Sequence, residues 1–212
     1  ADLIVLAVKP QITDIALSPL AHRVSSTATV LSIIAGINSA SLANLLGLPN
    51  DDAVVRSMPN TPALVGEGMT GLFSNSDQRA HGRILAERVM SAVGQCVWVS
   101  NESDLDLVTA ISGSGPAYFF LFMESLADAA VELGMSPQTA HQLSAQTALG
   151  AAKLAQASDD GLAKLRENVT SPGGTTEQAI ESFEASELRA IVMSATRAAK
   201  KRSIELSEEF GL

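Results

Sequence analysis

The sequence predicts a two-part chain, with an α/β portion over residues 1–101 and an all-α portion over residues 102–212. Two observations support this prediction. Short apolar segments alternate with helical stretches up to about residue 100, which is typical of βαβ units around a mostly parallel sheet. Beyond that point no convincing strand follows, and helical periodicity continues to the C-terminus. We therefore expect a domain boundary near Asn101.

The first portion contains the expected strands, which are apolar and suited to burial on both faces. They cover residues 2–8, 29–34, 53–57, 68–73 and 95–99. Between them, we expect helices over residues 11–22, over residues 40–46 with Ser39 as N-cap, and over residues 77–92. The first strand begins at once, with no preceding turn or initiator Met. We therefore expect that residues ahead of Ala1 are missing.

The second portion is expected to be helical throughout. The helices should cover residues 104–111, 116–133, 137–157, 161–168, 175–184 and 186–209. Pro116 and Pro137 fall where a first helical turn tolerates a missing N–H. Gly134 falls where a helix C-cap favours a positive φ.

Composition excludes several classes of protein. With 46% hydrophobic residues the chain is not disordered, and a net charge of -9 makes nucleic-acid binding improbable. The single cysteine, Cys96, can form neither an internal disulfide nor a cysteine-based metal cluster. No apolar run reaches transmembrane length, and no leader precedes the first segment. We expect a soluble, cytoplasmic protein without nucleic-acid or membrane partners.

Small or polar residues follow three successive strands. They are Ala7-Val8-Lys9-Pro10, Ala35-Gly36, and the loop from Met58 to Pro62, which includes Asn60 and Thr61. The carboxyl ends of parallel strands form the edge where open sheets bind ligands. A lone lysine after a strand is usually only solvated, and the proline-braced loop could be a rigid connector. Repetition at three strand ends favours one wall of a nucleotide cleft.

The segment Ser112-Gly-Ser-Gly-Pro-Ala-Tyr118 opens a long apolar helix. A G-x-G near a helix start suggests phosphate binding when it follows a strand. Here it follows a helix and leads into a hydrophobic run. We therefore favour close helix crossing, in which the small residues let two backbones approach.

The segment Asn168-Val-Thr-Ser-Pro-Gly-Gly-Thr-Thr-Glu177 forms a turn between two helices. Pro172, Gly173 and Gly174 break the first helix, and Thr175 is expected to cap the second. The unpaired first amides of that helix would attract a carboxylate or phosphate. The alternative is an ordinary connection with a good cap, although the clustered hydroxyls of this segment are more than a connector needs.

The histidines and the cysteine of this chain lack the spacings that metal sites and nucleophilic catalysis require. His22, His81 and His141 are scattered without metal-ligand spacing, and Cys96 has no histidine partner nearby in the sequence. The sequence therefore shows neither a metal site nor a nucleophile–base pair. A site of backbone amides and hydroxyls suits a reaction whose difficult step is performed by a cofactor, such as hydride transfer.

The chain resembles the pyrroline-5-carboxylate reductase family over essentially its full length. The matching segments are Leu6–Pro10, Arg56–Pro62, Ser112–Tyr118 and the family's signature loop, Val169–Thr176. The resemblance implies a Rossmann-like NAD(P)-binding domain, with its N-terminal part missing, followed by an all-helical dimerisation domain. It also implies reduction of L-1-pyrroline-5-carboxylate to L-proline with NADPH or NADH, the last step of proline biosynthesis.

The resemblance also assigns site residues. It places a first group against the dinucleotide: Ala7, Val8, Lys9, Pro10, Ala35, Asn60 and Asn168. It places a second group against the pyrroline ring and its carboxylate: Glu102, Gly173, Gly174, Thr175 and Thr176, with Thr176 as the catalytic residue. The family implies an obligate homodimer, in which the signature loop of one subunit completes the cofactor cleft of the other.

One departure and two alternatives accompany this resemblance. The family opens with a strand and a Gly-rich dinucleotide turn that this sequence lacks, so about 60 residues are expected ahead of Ala1. A β-hydroxyacid dehydrogenase would need a lysine and an asparagine where this chain has Phe119 and then Phe122 or Met123. A non-catalytic helical dimerisation module is the other alternative.

Overall fold

A computed structural model describes residues 1–25, 27–75 and 80–210. The chain forms two compact units. The sheet unit comprises Ala1–Pro116 together with Thr196–Leu212, and the helical unit comprises Ala117–Ala195. The expected change from strands to helices near residue 101 is present, but the sheet unit also includes helical residues on both sides of the helical unit. The domain limits 1–101 and 102–212 remain a prediction.

The sheet unit contains a five-stranded, mostly parallel sheet, as predicted. Its strands follow chain order: β1 Leu3–Leu6, β2 Thr29–Ser32, β3 Val54–Met58, β4 Gly68–Phe73 and β5 Gly94–Trp98. The pairs β1–β2, β2–β3 and β4–β5 are parallel, whereas β3–β4 is antiparallel. A short 3-10 segment, Thr61–Val65, joins β3 to β4. Because a parallel crossover needs a longer connection, β4 reverses direction.

The helices between the strands depart from prediction in two places. The single helix expected over residues 11–22 is wrong: a short α1, Thr13–Leu17, lies between 3-10 turns at Pro10–Ile12 and Ser18–Leu20. Pro19 disfavours a continuous helix because it lacks an N–H and its ring clashes with the carbonyl four residues earlier.

The second departure concerns the cap of α2, Ser39–Leu46. Its N-cap is Asn38, whose Oδ1 accepts from the Ser41 amide at 2.7 Å, so the expectation that Ser39 caps this helix is wrong. Next along the chain, α3 covers Ala80–Ser91. Residues 77–79 of the helix expected over 77–92 lie outside the described residues.

Apolar side chains cover both faces of the sheet. On one face, Val30 and Val54 pack with the buried residues Leu6, Leu17, Ile34, Ile37, Leu42, Ala43 and Leu46. On the other, Leu31, Val55 and Leu72 pack with Ala86 and Met90. Successive side chains of a strand point to opposite faces, so adjacent residues enter different clusters. This double burial explains why the strands are apolar without alternation.

Six helices follow β5 in the part of the chain that the structure describes. They are α4 Asp104–Val108, α5 Gly115–Glu132, α6 Pro137–Ala157, α7 Leu162–Asn168, α8 Thr175–Ala185 and α9 Leu188–Phe210. A π-helical turn, Thr109–Gly113, lies between α4 and α5. Pro116 and Pro137 occupy first turns and Gly134 has a φ of +100°, as predicted.

The helical unit leaves many large apolar side chains exposed. We define the α5 apolar segment as Phe119–Phe122, whose residues are 69, 62, 63 and 48% exposed in chain order. Ile191, Val192 and Met193 on α9 are also exposed. A contiguous apolar surface on a soluble protein commonly marks an interface.

The expectation that no apolar stretch reaches transmembrane length is wrong for one helical stretch. Asp104–Glu132 is long and apolar enough to cross a membrane, by length and composition alone. Charged residues such as Glu124 and Asp128 interrupt its apolar run without removing it from this class. One such helix is weak evidence for a membrane span.

Candidate active site

The carboxyl ends of β1 and β2 lie beside each other and carry small, accessible residues. Ala7 and Ala35 are exposed, while Val8 and Pro10 are half-buried. Lys9 is exposed, and its ammonium group has no partner within residues 1–25, 27–75 and 80–210. This edge therefore offers open backbone and a positive charge at the position where parallel sheets bind ligands.

Gly36 turns the backbone immediately after this edge. Its φ is +79°, and an added Cβ would lie 3.3 Å from the Leu206 carbonyl oxygen and 3.6 Å from the Phe210 ring. The last part of α9 therefore packs closely against the backbone at Gly36. A side chain at residue 36 would meet both backbone strain and α9.

A cavity of about 210 Å³ lies at the ends of β2 and β3 in the sheet unit. Ala35, Gly36, Arg56 and Met58 line it from the strands and their loops, and Leu206 lines it from α9. Its position agrees with the sheet edge predicted to bind a ligand.

The side chain of Asn60 joins two neighbouring segments. Its Oδ1 accepts from the Met69 amide at 2.9 Å, and its Nδ2 donates to the Ser112 carbonyl at 3.0 Å. Both ends of the amide are therefore engaged in holding the loop after β3. Its placement against a dinucleotide remains a prediction.

The close helix crossing that we favoured for the Ser112–Tyr118 segment is wrong for both of its glycines among the described residues. An added Cβ on Gly113 would lie 2.8 Å from Met58 Cε. The close approach is therefore to the end of β3 rather than to another helix. A Cβ on Gly115 would meet no heavy atom within 4 Å.

Glu102 lies just before α4 and reaches back to the sheet. Its Oε1 accepts from Ser39 N at 2.7 Å, Ser39 Oγ at 2.8 Å and Arg56 Nη1 at 3.0 Å. Sequence reasoning missed Ser39 and Arg56 as partners of this carboxylate. Arg56 itself could have indicated an acidic partner, because it is a charged residue between buried residues of a strand.

The signature loop lies in the helical unit. Gly173 has a φ of +71°, and a Cβ on Gly174 would lie 2.9 Å from the Ser171 carbonyl oxygen. Gly174 is the N-cap of α8 and Thr175 is its first residue, so the expectation that Thr175 caps this helix is wrong. Glu177 Oε2 instead accepts from the Gly173 amide at 2.7 Å, which sequence reasoning missed.

The first turn of α8 presents free hydrogen-bond donors. Among the described residues, nothing accepts from the amides of Thr175, Thr176 and Glu177 or pairs with the hydroxyls of Thr175 and Thr176. Thr175 is exposed and Thr176 is half-buried. Amides at the start of a helix of this length favour a carboxylate or phosphate.

The remaining polar residues of this loop are partly engaged. Thr170 Oγ1 donates to the Arg166 carbonyl at 2.6 Å, so its hydroxyl serves the end of α7. Asn168 is exposed, and its Nδ2 lies 3.4 Å from Asp160 Oδ2. The loop and the sheet edge belong to different units, so the expected site residues fall into two groups.

Comparisons with known proteins identify relatives of this chain. Residues 102–206 match the family model described as pyrroline-5-carboxylate reductase dimerisation. The pyrroline-5-carboxylate reductase of Pseudomonas aeruginosa is 48% identical over 211 residues, which cover 100% of this chain and 77% of that protein.

Solved structures give the same result. A pyrroline-5-carboxylate reductase from Coxiella burnetii has a TM-score of 0.92 and 44% identity, covering 97% of this chain and 76% of its own. The pyrroline carboxylate reductase of Plasmodium falciparum, solved with NADP bound, has a TM-score of 0.83 and 36% identity. The match covers 98% of this chain and 78% of that chain.

The mostly parallel sheet, the helical dimerisation region and these relatives define an NAD(P)-dependent oxidoreductase. Within that class, the chain belongs to the pyrroline-5-carboxylate reductase family. The family resemblance, the fold class and the NAD(P)H cofactor are therefore confirmed. Membership is consistent with a soluble protein that forms a homodimer or larger oligomer.

Proposed function

We propose that this protein reduces L-1-pyrroline-5-carboxylate to L-proline with NAD(P)H in the cytoplasm, through the residues described above. The observation that carries the proposal is the first turn of α8, where the amides and hydroxyls of Thr175 and Thr176 have no protein partner among the described residues. A small cyclic imine with a carboxylate matches those donors. The names of the relatives support the same substrate.

The start of α8 binds the substrate carboxylate in this proposal. Glu177 already occupies the Gly173 amide, so the amides of Thr175 and Thr176 are the donors for the carboxylate. The Thr176 hydroxyl bonds to the imine nitrogen. The positive charge on a protonated imine makes the neighbouring carbon electrophilic. No strong general acid is needed, and positioning supplies most of the rate.

The sheet edge fits a dinucleotide. Ala7 and Ala35 leave the backbone accessible, and the Lys9 ammonium, which pairs with nothing in the described part of the chain, suits an anionic group. When bound there, NAD(P)H supplies the hydride for the imine carbon. Val8, Pro10 and Asn60 complete the same wall, and Glu102 faces the pyrroline ring.

The protein is an obligate homodimer in this proposal, and Asn168 and the signature loop of one subunit complete the cofactor cleft of the other. The exposed α5 apolar segment supports this assembly, since a monomer would leave it in water. Sedimentation of the full-length gene product at low micromolar concentration should show no folded monomer. A stable folded monomer would contradict the dimer.

Replacing Thr176 tests the proposed reaction. Thr176→Ala should lower kcat/KM for pyrroline-5-carboxylate by about 10-fold or more, the scale of one hydrogen bond that strengthens in the transition state. The measurement is NAD(P)H oxidation by the full-length gene product, with 3-hydroxy acids assayed in parallel for the dehydrogenase reaction.

Thr170→Ala is the matched control, because the Thr170 hydroxyl already bonds to the Arg166 carbonyl. It should leave kcat/KM near the parent value. An unchanged value for Thr176→Ala removes Thr176 from the mechanism. A parent protein that does not reduce pyrroline-5-carboxylate overturns the proposed function.

A further inference from the structure

We propose that Arg56 is a positioning residue for the reaction, acting through one oxygen of Glu102. The inference rests on the proposed function, in which Glu102 faces the pyrroline ring. Arg56 lies in β3, at the centre of the five-stranded sheet, and Glu102 lies 46 residues later, just before α4. Ser39, Arg56 and Glu102 all belong to the sheet unit.

A charge at residue 56 is costly for the sheet. Its strand neighbours Val55 and Ser57 are 2% and 4% exposed, and the Arg56 side chain is itself only 13% exposed. Burial of a guanidinium requires a partner, and an apolar residue of similar volume often stabilises a fold as well or better. Stability alone therefore does not explain an arginine at this position.

The Arg56 side chain has one partner within residues 1–25, 27–75 and 80–210, the Glu102 carboxylate at 3.0 Å. The same oxygen of Glu102 accepts the amide and hydroxyl of Ser39, which is fully buried at the start of α2. Donors from β3 and α2 therefore converge on a single atom. A carboxylate at a helix N-terminus also interacts favourably with the helix dipole.

This convergence fixes the direction of the whole carboxylate. Three donors hold Oε1, while Oε2 has no protein donor among the described residues. Because the two oxygens share one rigid group, fixing the first also aims the second. Oε2 is therefore the oxygen that remains for the substrate.

Loss of Arg56 should loosen the carboxylate without removing it. The two Ser39 donors come from one residue, so they hold Oε1 from one side only. A misplacement of about 1 Å in a positioning group can cost about 100-fold in rate. We expect Arg56→Gln to lower kcat/KM for the imine by about 10-fold or more, with the KM for NAD(P)H unchanged.

A double-mutant cycle separates positioning from a general structural role. Arg56→Gln, Glu102→Gln and the double variant are compared with the parent in the full-length gene product, with NAD(P)H oxidation as the readout. Arg56→Gln should reduce kcat/KM strongly when Glu102 is present and little when residue 102 is glutamine. Arg56→Lys should restore part of the loss, since it keeps the charge but not the planar group.

Arg189→Gln is the matched control. It also removes an arginine from a 2.8 Å ion pair with a glutamate, but its side chain is 69% exposed. It should leave the kinetics at the parent value. If Arg56→Gln does not fold, Ser39→Ala removes another donor to the same oxygen and enters the same cycle with Glu102→Gln.

The outcomes are distinct. An equal loss from Arg56→Gln in both backgrounds, or a parallel rise in the KM for NAD(P)H, overturns the positioning role. An active parent with unchanged Arg56→Gln kinetics overturns this inference alone. A parent that does not reduce the imine overturns the proposed function, and this inference with it.

Discussion

At the scale of single residues, Asn60 shows how one side chain holds two parts of the sheet unit together. Its carbonyl oxygen accepts from the Met69 amide in β4, and its amino group donates to the Ser112 carbonyl in the π-helical turn after α4. Both bonds are partly buried, so their loss leaves a backbone amide and a carbonyl without their partners. Unpaired polar groups of this kind destabilise a fold.

Asn60→Ala should lower the free energy of unfolding by about 2 kcal/mol, since two hydrogen bonds contribute about 1 kcal/mol each. Urea denaturation measures this change. Asn44→Ala is the control, because Asn44 is exposed on α2 and should change stability by less than about 0.5 kcal/mol. Equal effects of the two substitutions would show that the Asn60 bonds contribute nothing.

Sequence reasoning predicts local chemistry at this scale better than long-range pairing. Gly173 and Gly174 are predicted to break the helix before α8, and the positive φ of Gly173 agrees with this prediction. The partners of Glu102 are 46 and 63 residues away in the chain. No local spacing indicates such a pair, because the sheet brings those residues together only when it folds.

At the scale of elements, the junction of α8 and α9 is held by a bidentate ion pair. Arg189 donates through Nε and Nη2 to Glu184 Oε1 at 2.9 and 2.8 Å. This hydrogen bonding, opposed by desolvation and aided by the charges of Arg189 and Arg166, lowers the pKa of the Glu184 carboxyl. Both side chains are exposed, so salt should weaken the pair.

Arg189→Gln should raise the pKa of Glu184 toward the ordinary value of a glutamate. A pKa lowered by folding stabilises the fold above the unfolded pKa, and this contribution is lost as pH falls through the folded pKa. The variant should therefore show a smaller loss of stability on acidification. NMR titration of the Glu184 carboxyl carbon measures the shift directly.

If the Glu184 pKa stays low in Arg189→Gln, the ion pair is not what lowers it, and the pair does not account for the loss of stability on acidification. Lys164→Gln is a suitable control, because Lys164 pairs with Glu167 and not with Glu184. It should leave the titration of Glu184 unchanged.

The limits of an element follow closely from the sequence where glycine or proline marks its start. The limits of β4 and α6 match prediction because glycine or proline marks their starts. The predicted helix over residues 11–22 is wrong because Pro19 lies inside that range and disfavours a continuous helix. The cap of α2 was also wrong because Asn38 and Ser39 both suit an N-cap, and only the partner of Ser39 distinguishes them.

At the scale of the whole molecule, the sheet unit is built from two separated stretches of chain. Its second stretch is the last part of α9, where Phe210 packs against the apolar cluster beneath β1 and β2. Sequence reasoning assigned all of α9 to the helical portion. The amphipathic pattern of a helix indicates that it buries one face, but not which core that face meets.

Phe210→Ala should therefore destabilise the sheet unit. Full burial of a phenylalanine gives a loss of about 3–5 kcal/mol on truncation, and a half-buried ring should give about 2 kcal/mol. Urea denaturation followed by the fluorescence of Trp98, on β5, reports on this unit. Leu64→Ala, at an 89% exposed residue, is the control. Equal midpoints for the two variants would contradict a role for Phe210 in the core.

Because this core is built from two separated stretches of chain, its parts are made at different times during translation. A ribosome releases all five strands before it makes the residues that complete their apolar cover, and residues 117–195 emerge in between. Domains generally fold as units and in order of synthesis. The nascent sheet must therefore wait, incompletely covered, until the stretch from Thr196 onward has been made, and a premature stop codon after residue 117 but before that stretch would damage a sheet that lies much earlier in the chain.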